Sequence, residues 1–403
     1  MVKSVPRVAK DPTLRTICLL LFLYGTLFSA IGPYQALIAI TVFDLPDAAW
    51  SGVMFASALV TVAASVGFGI ITDQHNNRRT MAVFCASLTC LGGFLVWAFA
   101  STPAFLLVHL LIWPMGASIF GQLFALARLA AARFGPGERD MIMAAVRAIF
   151  ALAFVIALPF WSLAFANGVA LTALYPTVMT LAAIVILTIL FAWPNEASQV
   201  LTSEQSGLSF LASLREVLTR HIVIRVALLA LISAANVLFM SLLGLLFQSA
   251  PGREFRDAAV FLTLVTALEV PFMLTIGAVS SRFGRVRLIA GGGFFYGLFL
   301  AVFVTSISAW WVWAMAIPAA LGAALILSVP ISYLQDLLSH RPGAGGSLLA
   351  VNQVAGAACA AGIFAFGTWV GDYVTVALIG SVAAMLAAIA LGVIEKSAGN
   401  WHR

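Results

Sequence analysis

The sequence contains one short pattern twice, as Gly69-Ile-Ile-Thr-Asp73-Gln-His-Asn-Asn-Arg78-Arg79 and as Gly277-Ala-Val-Ser-Ser281-Arg282-Phe-Gly284-Arg285-Val-Arg287. In each copy a glycine precedes a polar residue by four positions, basic residues follow, and a new apolar stretch begins. The copies lie about half the chain apart, and each follows the second long apolar stretch of its half. We therefore expect a duplicated unit, because matched patterns at this separation are typical of internal repeats.

The composition predicts a membrane protein. Hydrophobic residues make up 63% of the 403 residues and charged residues only 9%, whereas soluble domains carry about 25% charged residues. Apolar stretches of about 20 residues recur along the chain, which is the length that crosses a bilayer as a helix. The net charge of +6 does not indicate nucleic-acid binding, because the basic residues lie in short loops beside apolar stretches.

The apolar stretches predict an all-α membrane protein with twelve transmembrane helices in two pseudo-symmetric six-helix bundles. We expect an N-terminal bundle over residues 1–193, a cytoplasmic central linker over 194–220 and a C-terminal bundle over 221–403. The predicted helices lie near residues 14–40, 48–72, 80–101, 103–133, 141–167, 169–193, 221–249, 256–281, 286–306, 308–338, 343–369 and 371–395.

The basic residues predict the orientation of these helices. With the N-terminus in the cytoplasm, most bases fall in cytoplasmic loops, as the positive-inside rule requires. The opposite loops carry Asp44, Asp47 and Asp372, and their bases, Arg253 and Arg256, are accompanied by acids. We expect a multi-pass protein of the bacterial inner (plasma) membrane with both termini in the cytoplasm.

The repeated pattern resembles the signature G-x-x-x-D-R-x-G-R-R of major facilitator transporters. We expect its glycine to let neighbouring helices approach and its charges to form a latch that closes the cytoplasmic side. Simple positive-inside loops would supply the bases but not the matched glycines. The second copy departs from the signature, since Ser281 replaces the acid. The residues expected to act in gating are Gly69, Asp73, Arg78, Arg79, Gly277, Arg282 and Arg285.

Among the charged residues inside predicted spans, Glu269 and Arg147 are the best functional candidates, because a charge there is costly and usually faces a cavity or a partner. Glu269 lies near the middle of helix 8, two residues before Pro271. Its carboxylate suits reversible protonation in a proton-coupled transporter; the alternative is a structural acid beside a proline-loosened helix. Arg147 lies about two turns into helix 5, where it can snorkel, pair with an acid or bind the oxygens of a ligand.

Uncharged polar residues inside the spans predict a polar substrate pathway. Amides carry both donors and acceptors, which suits hydroxyl-rich ligands. The alternative for any single amide is hydrogen bonding between helices. The facilitator resemblance implies that helices 1, 4, 7 and 10 line the pathway. The candidates for substrate binding are Tyr34 and Gln35 in helix 1, Gln122 in helix 4, Asn236 in helix 7, and Asn352 and Gln353 in helix 11.

Several short segments carry a more specific resemblance. They are Phe120-Gly-Gln122-Leu-Phe124-Ala-Leu-Ala127-Arg128, Ser233-Ala-Ala-Asn236, Leu268-Glu269-Val-Pro271-Phe-Met273 and Tyr333-Leu-Gln335-Asp336. Together with Arg147 they resemble, in order and over most of the chain, the bacterial sugar efflux transporters known as the SET family. The resemblance implies export of sugars or sugar-like compounds by proton antiport. It makes Gln122, Arg147, Asn236 and Glu269 the preferred site residues.

Other functions remain open at this point. A multidrug or metabolite antiporter would have a more aromatic and apolar pocket, which thirty phenylalanines would allow, and proton-coupled uptake is the reverse of the same cycle. A membrane enzyme would need a nucleophile with a base or a metal site, and no such constellation is visible; a receptor-like role stays open. We expect no metal and no cofactor. The expected partners are a small polar substrate, protons and the lipid bilayer, with the chain acting as a monomer.

Overall fold

Twelve long helices account for nearly all of the residues that the computed structural model describes, namely 10–75, 77–131, 133–134, 136–193, 219–337 and 342–397. The helices are α1 (Pro12–Thr41), α2 (Asp47–His75), α3 (Arg78–Phe99), α4 (Thr102–Ala131), α5 (Pro136–Ala166), α6 (Leu171–Ala192), α7 (Arg220–Ser249), α8 (Asp257–Phe283), α9 (Arg285–Thr305), α10 (Ala316–Leu337, preceded by a 3-10 turn at Trp310–Met315), α11 (Pro342–Val370) and α12 (Tyr373–Ser397).

These helices confirm the predicted fold class. Within the described ranges eleven of them are long and apolar enough to cross a membrane. A helix suits this environment because it satisfies its own backbone N–H and C=O groups, which hydrocarbon cannot do. Large apolar side chains such as Phe191 and Trp369 are exposed on their outer surfaces, as expected of residues that face lipid.

Two of the predicted helices are interrupted. α1 contains a 3-10 turn at Gly32–Tyr34, because Pro33 has no backbone N–H and restricts the residue before it. α4 contains a π-helical turn at Val108–Ile112, directly before Trp113-Pro114. A π turn is rare and is often associated with functional sites. The apolar pattern alone predicted both helices as continuous.

By contacts, the described residues form two compact units. The first unit takes Met1–Gly32 and Leu59–Gln205, and the second takes Pro33–Ala58 and Ser206–Arg403. In the second unit Leu37 of α1 lies against Gly244 of α7. The Tyr373 hydroxyl at the start of α12 donates to Asp47 Oδ1 at the start of α2, at 3.0 Å. The division into bundles 1–193 and 221–403, with a linker at 194–220, stays a prediction.

An ion pair is buried in the second unit where α7 begins and α12 ends. Arg225 Nε donates to Glu395 Oε1, and the two residues are only 8% and 1% exposed. The Tyr333 hydroxyl donates to the same carboxylate oxygen at 2.9 Å, and Arg225 Nη1 donates to the His221 carbonyl at 3.0 Å. These bonds join α7, α10 and α12. A buried pair is tolerable only when hydrogen bonds satisfy its polar atoms, as they do here.

Candidate functional site

Three consecutive helices of the second unit bring polar side chains together. The Tyr296 hydroxyl on α9 donates to Asn236 Oδ1 on α7 at 3.0 Å. Glu269 on α8 lies close enough to Tyr296 to interact with it electrostatically. Asn236 and Glu269 are both half-buried, whereas Tyr296 is 1% exposed. In this cluster the amide and the carboxylate are partly accessible, whereas the hydroxyl is fully buried.

Close helix packing holds the tyrosine of this cluster in place. A Cβ on Gly297 of α9 would lie 2.8 Å from the Ser381 carbonyl of α12, and the Ser381 hydroxyl donates to the Gly297 carbonyl at 2.6 Å. On the other side, a Cβ on Gly322 of α10 would lie 2.9 Å from the Tyr296 ring. Small residues of this kind let helix backbones approach within a membrane. As a result α9 is fixed between its neighbours, and Tyr296 with it.

Glu269 lies in a weakened part of α8. Pro271 lies inside this helix, and a proline has no N–H to donate to the carbonyl four residues earlier, here that of Ala267. The loss of this bond leaves a backbone carbonyl without its helical partner two residues before Glu269. Glu269 itself takes part in a polar interaction within the structure. An ionisable side chain inside a membrane span is costly and usually faces a cavity or a partner.

The first unit contributes a different kind of surface. Phenylalanine rings of α1, α4 and α5 form a row in which Phe28, Phe154, Phe150 and Phe120 lie with successive ring centroids 6.1, 5.5 and 5.0 Å apart. Phe28 and Phe120, the two ends of the row, are exposed. Such faces can stack against an apolar solute or a sugar ring.

The predicted polar residues of the first unit lie on the helices that carry this row. Gln122 of α4 is buried, and Arg147 of α5 is half-buried and takes part in a polar or electrostatic interaction. The structure therefore places both on the helices that the sequence assigned to them. Their role in binding stays a prediction.

The remaining predicted binding residues lie in different surroundings. Asn352 of α11 is 5% exposed, and its Oδ1 accepts no hydrogen bond from the described residues, whereas the neighbouring Gln353 is exposed. The two amides therefore lie on different sides of α11. Tyr34 is buried with its ring 6.5 Å from that of Phe255, and Gln35 is half-buried. The structure joins none of these four to the Asn236 cluster by a hydrogen bond within the described ranges.

Comparison with known proteins identifies the family. A family model described as Major Facilitator Superfamily matches residues 17–361. The chain belongs to this superfamily. Among curated facilitator proteins it is similar to Sugar efflux transporter A of Dickeya chrysanthemi, with 27% identity over 297 residues and 72% of each chain covered. It is also similar to Sugar efflux transporter A of Escherichia coli (strain K12), with 25% identity over 325 residues, 78% of this chain and 79% of that protein, which confirms the resemblance seen in the sequence.

Solved structures show the same facilitator fold. The nucleoside transporter NupG matches with a TM-score of 0.77 and 18% identity, covering 96% of this chain and 99% of that chain. A mutant of the peptide transporter POT in complex with sulfate matches with a TM-score of 0.76 and 12% identity, covering 96% of this chain and 94% of that chain. At these identities the likeness concerns the fold and not the substrate.

The facilitator signature loops are described in part. Arg78 is half-buried, and exposed Arg79 donates to the Leu190 carbonyl of α6 at 2.6 Å. Arg285 begins α9 and is half-buried. A Cβ on Gly69 would meet no atom of the described residues within 4 Å, so the close helix approach expected there stays a prediction. The other gating residues, Asp73, Gly277 and Arg282, belong to α2 and α8, but their side-chain surroundings lie outside the described part.

Sequence reasoning missed Tyr296 as a member of the candidate site. The available signal was a polar aromatic residue within the glycine-rich run of α9, Gly291 to Gly297. A second buried polar contact, between His109 Nε2 and the Tyr175 hydroxyl at 3.2 Å, lies at the π turn of α4. There His109 also stacks on Phe105 at 4.0 Å. This set packs α4 against α6, in keeping with a structural role for His109.

Proposed function

We propose that the chain is a secondary transporter that exports a sugar or sugar-like solute in exchange for protons. The observation that carries the proposal is the cluster of Asn236, Tyr296 and Glu269. It offers hydrogen bonds for hydroxyl groups beside a carboxylate that can carry a proton. The names of the similar curated proteins, both sugar efflux transporters, support the choice of sugar. In this proposal Asn236 contacts the solute and Glu269 carries the proton.

The decisive experiment uses the purified protein in liposomes. Counterflow of radiolabelled lactose and glucose tests for a sugar site, and counterflow of tetraphenylphosphonium tests for a site that takes lipophilic cations. A pH gradient then tests coupling: an antiporter accumulates sugar in vesicles with an acidic lumen, whereas a proton-coupled uptake carrier does so when the outside is acidic. Cation exchange without sugar exchange would reject the proposal.

Substitution of Glu269 tests its role in coupling. Glu269→Gln keeps the shape of the side chain and removes its titration, so we expect sugar exchange to persist while gradient-driven accumulation falls to the passive level. Glu254→Gln is the matched control, because Glu254 is an exposed loop acid that pairs with Arg256 and precedes α8 in the chain. Accumulation by Glu269→Gln at the native level would show that the carboxylate is structural.

A multidrug or metabolite antiporter is the second candidate, and the phenylalanine row of the first unit favours it. Rings at these separations can hold an apolar, aromatic solute without hydrogen bonds. Replacing exposed Phe120 by Ala separates the two candidates: a drug antiporter loses most tetraphenylphosphonium exchange, whereas lactose exchange through the polar cluster changes little.

The proposal includes an inner-membrane location with both termini in the cytoplasm. The basic loops, among them Arg78-Arg79 and Arg285-Val-Arg287, support this orientation through the positive-inside rule. Reporter fusions at the C-terminus test it: a fluorescent reporter that folds only in the cytoplasm should be active, and a phosphatase that needs export should be inactive.

A further inference from the structure

Packing around Tyr296 fixes the direction in which its hydroxyl points. Its ring centroid lies 5.3 Å from that of Phe299 and 6.3 Å from that of Phe239. Gly322 closes the side towards α10, and the residue is 1% exposed. Burying a hydroxyl without a partner is costly, so its bond to Asn236 is the reason that a tyrosine is tolerated here.

This bond decides which atoms Asn236 presents. A primary amide has one acceptor oxygen and two N–H donors on Nδ2. The Tyr296 hydroxyl donates to Oδ1, and Nδ2 makes no hydrogen bond within the described part of the chain. Since the residue is half-buried, the amide stays reachable. The bond therefore occupies one lone pair of Oδ1 and leaves both Nδ2 donors of Asn236 available to an incoming solute.

We propose that Tyr296 is a positioning residue of the transport site, which holds the Asn236 amide so that Nδ2 donates to an oxygen of the transported solute. This inference rests on the proposed sugar transport. The oxygen can belong to a hydroxyl, a ring ether or a glycosidic bond, since each offers a lone pair. A tetraalkylammonium or phosphonium cation offers none, so the fixed amide selects oxygen-rich solutes. Tyr296 thereby contributes to specificity without contacting the solute.

The test is Tyr296→Phe in the lactose exchange assay. Phenylalanine keeps the ring in its packed position and removes only the hydroxyl, which frees the amide to rotate. We expect the KM for lactose to rise about three- to tenfold, the effect of one hydrogen bond, with the maximal exchange rate unchanged. Tyr175→Phe is the matched control, because Tyr175 is a fully buried tyrosine of the first unit whose hydroxyl contacts His109 instead. Its KM should equal the native value.

A double substitution separates positioning from a general effect on folding. The double variant Asn236→Ala with Tyr296→Phe should have the same KM for lactose as Asn236→Ala alone, because no amide remains for Tyr296 to position. A further rise by the same factor would mean that the hydroxyl acts elsewhere, and would overturn the inference. So would a native KM for Tyr296→Phe alone. If the native chain exchanges neither lactose nor glucose, the proposed function fails first, and the inference fails with it.

Discussion

The buried pair of Arg225 and Glu395 allows a quantitative prediction about stability. Replacing Glu395 by Leu keeps similar bulk but leaves the Arg225 guanidinium buried without its counter-charge. It also removes the acceptor of the Tyr333 hydroxyl. Breaking a buried pair from one side costs about 3–5 kcal/mol, and the orphaned hydroxyl adds about 1 kcal/mol or more. We therefore expect Glu395→Leu to lower the free energy of unfolding by about 4–6 kcal/mol, combining these values.

The second arm removes both charges. In the double variant Arg225→Met with Glu395→Leu no charge is left uncompensated, and the orphaned Tyr333 hydroxyl is the remaining cost, so the free energy of unfolding should return to within about 1–2 kcal/mol of the native value. The exposed pair of Glu254 and Arg256 provides the control, since its acid is 59% and its base 36% exposed. Glu254→Leu should cost less than about 1 kcal/mol.

Reversible unfolding by dodecyl sulfate in mixed micelles, followed by tryptophan fluorescence, gives these free energies for the full chain. An unpaired buried charge is the expected cause of the cost. A double variant as unstable as Glu395→Leu alone, or a cost of Glu395→Leu no greater than that of Glu254→Leu, would refute this cause.

Two smaller predictions follow from packing and capping. A Cβ on Gly25 would lie 2.8 Å from the Phe150 carbonyl, so Gly25→Ala should destabilise the first unit by about 1–3 kcal/mol. Gly121→Ala is the control, because a Cβ on Gly121 would meet no atom of the described residues within 4 Å; it should be neutral or slightly stabilising in the same unfolding assay. Hydrogen bonds from the Thr375 backbone N–H, and then from its hydroxyl, lower the pKa of Asp372 below its usual value. The stabilisation of α12 by this cap is therefore complete above the ordinary aspartate pKa and is lost as pH falls through the lowered pKa. Asp372→Ala should cost about 1 kcal/mol near neutral pH, and the difference from the native chain should vanish in acid; an equal difference at all pH values would contradict the assignment.

The sequence could predict the helices because each is a local property. Apolar length and the position of charged loops fix a transmembrane helix within its own segment, and the twelve observed helices follow the predicted ranges closely. Local interruptions were harder to see. Pro33 and Pro114 were visible, but whether a proline ends, bends or merely loosens a helix depends on the neighbours that satisfy the freed carbonyls.

Contacts between distant segments were not predictable in the same way. Arg225 and Glu395 are 170 positions apart, and no local pattern in the sequence links them. Asn236 and Glu269 were found because strongly polar groups are rare inside a span. Tyr296 was not found, because tyrosine is common at helix ends and in cores, and only the fold shows that its hydroxyl meets Asn236.

The packing of Pro33–Ala58 determines which fragments of the chain can fold by themselves. This stretch lies early in the sequence but packs with the later helices: Leu37 contacts Gly244, and Asp47 accepts a hydrogen bond from the Tyr373 hydroxyl. A fragment restricted to residues 221–403 would expose an apolar patch on α7 and leave the Tyr373 hydroxyl of α12 without its acceptor. During synthesis, Pro33–Ala58 is already inserted when α7 and α12 are made, so the later helices can pack against it at once. We expect two co-expressed halves of the chain to assemble into a more stable complex than either half forms alone.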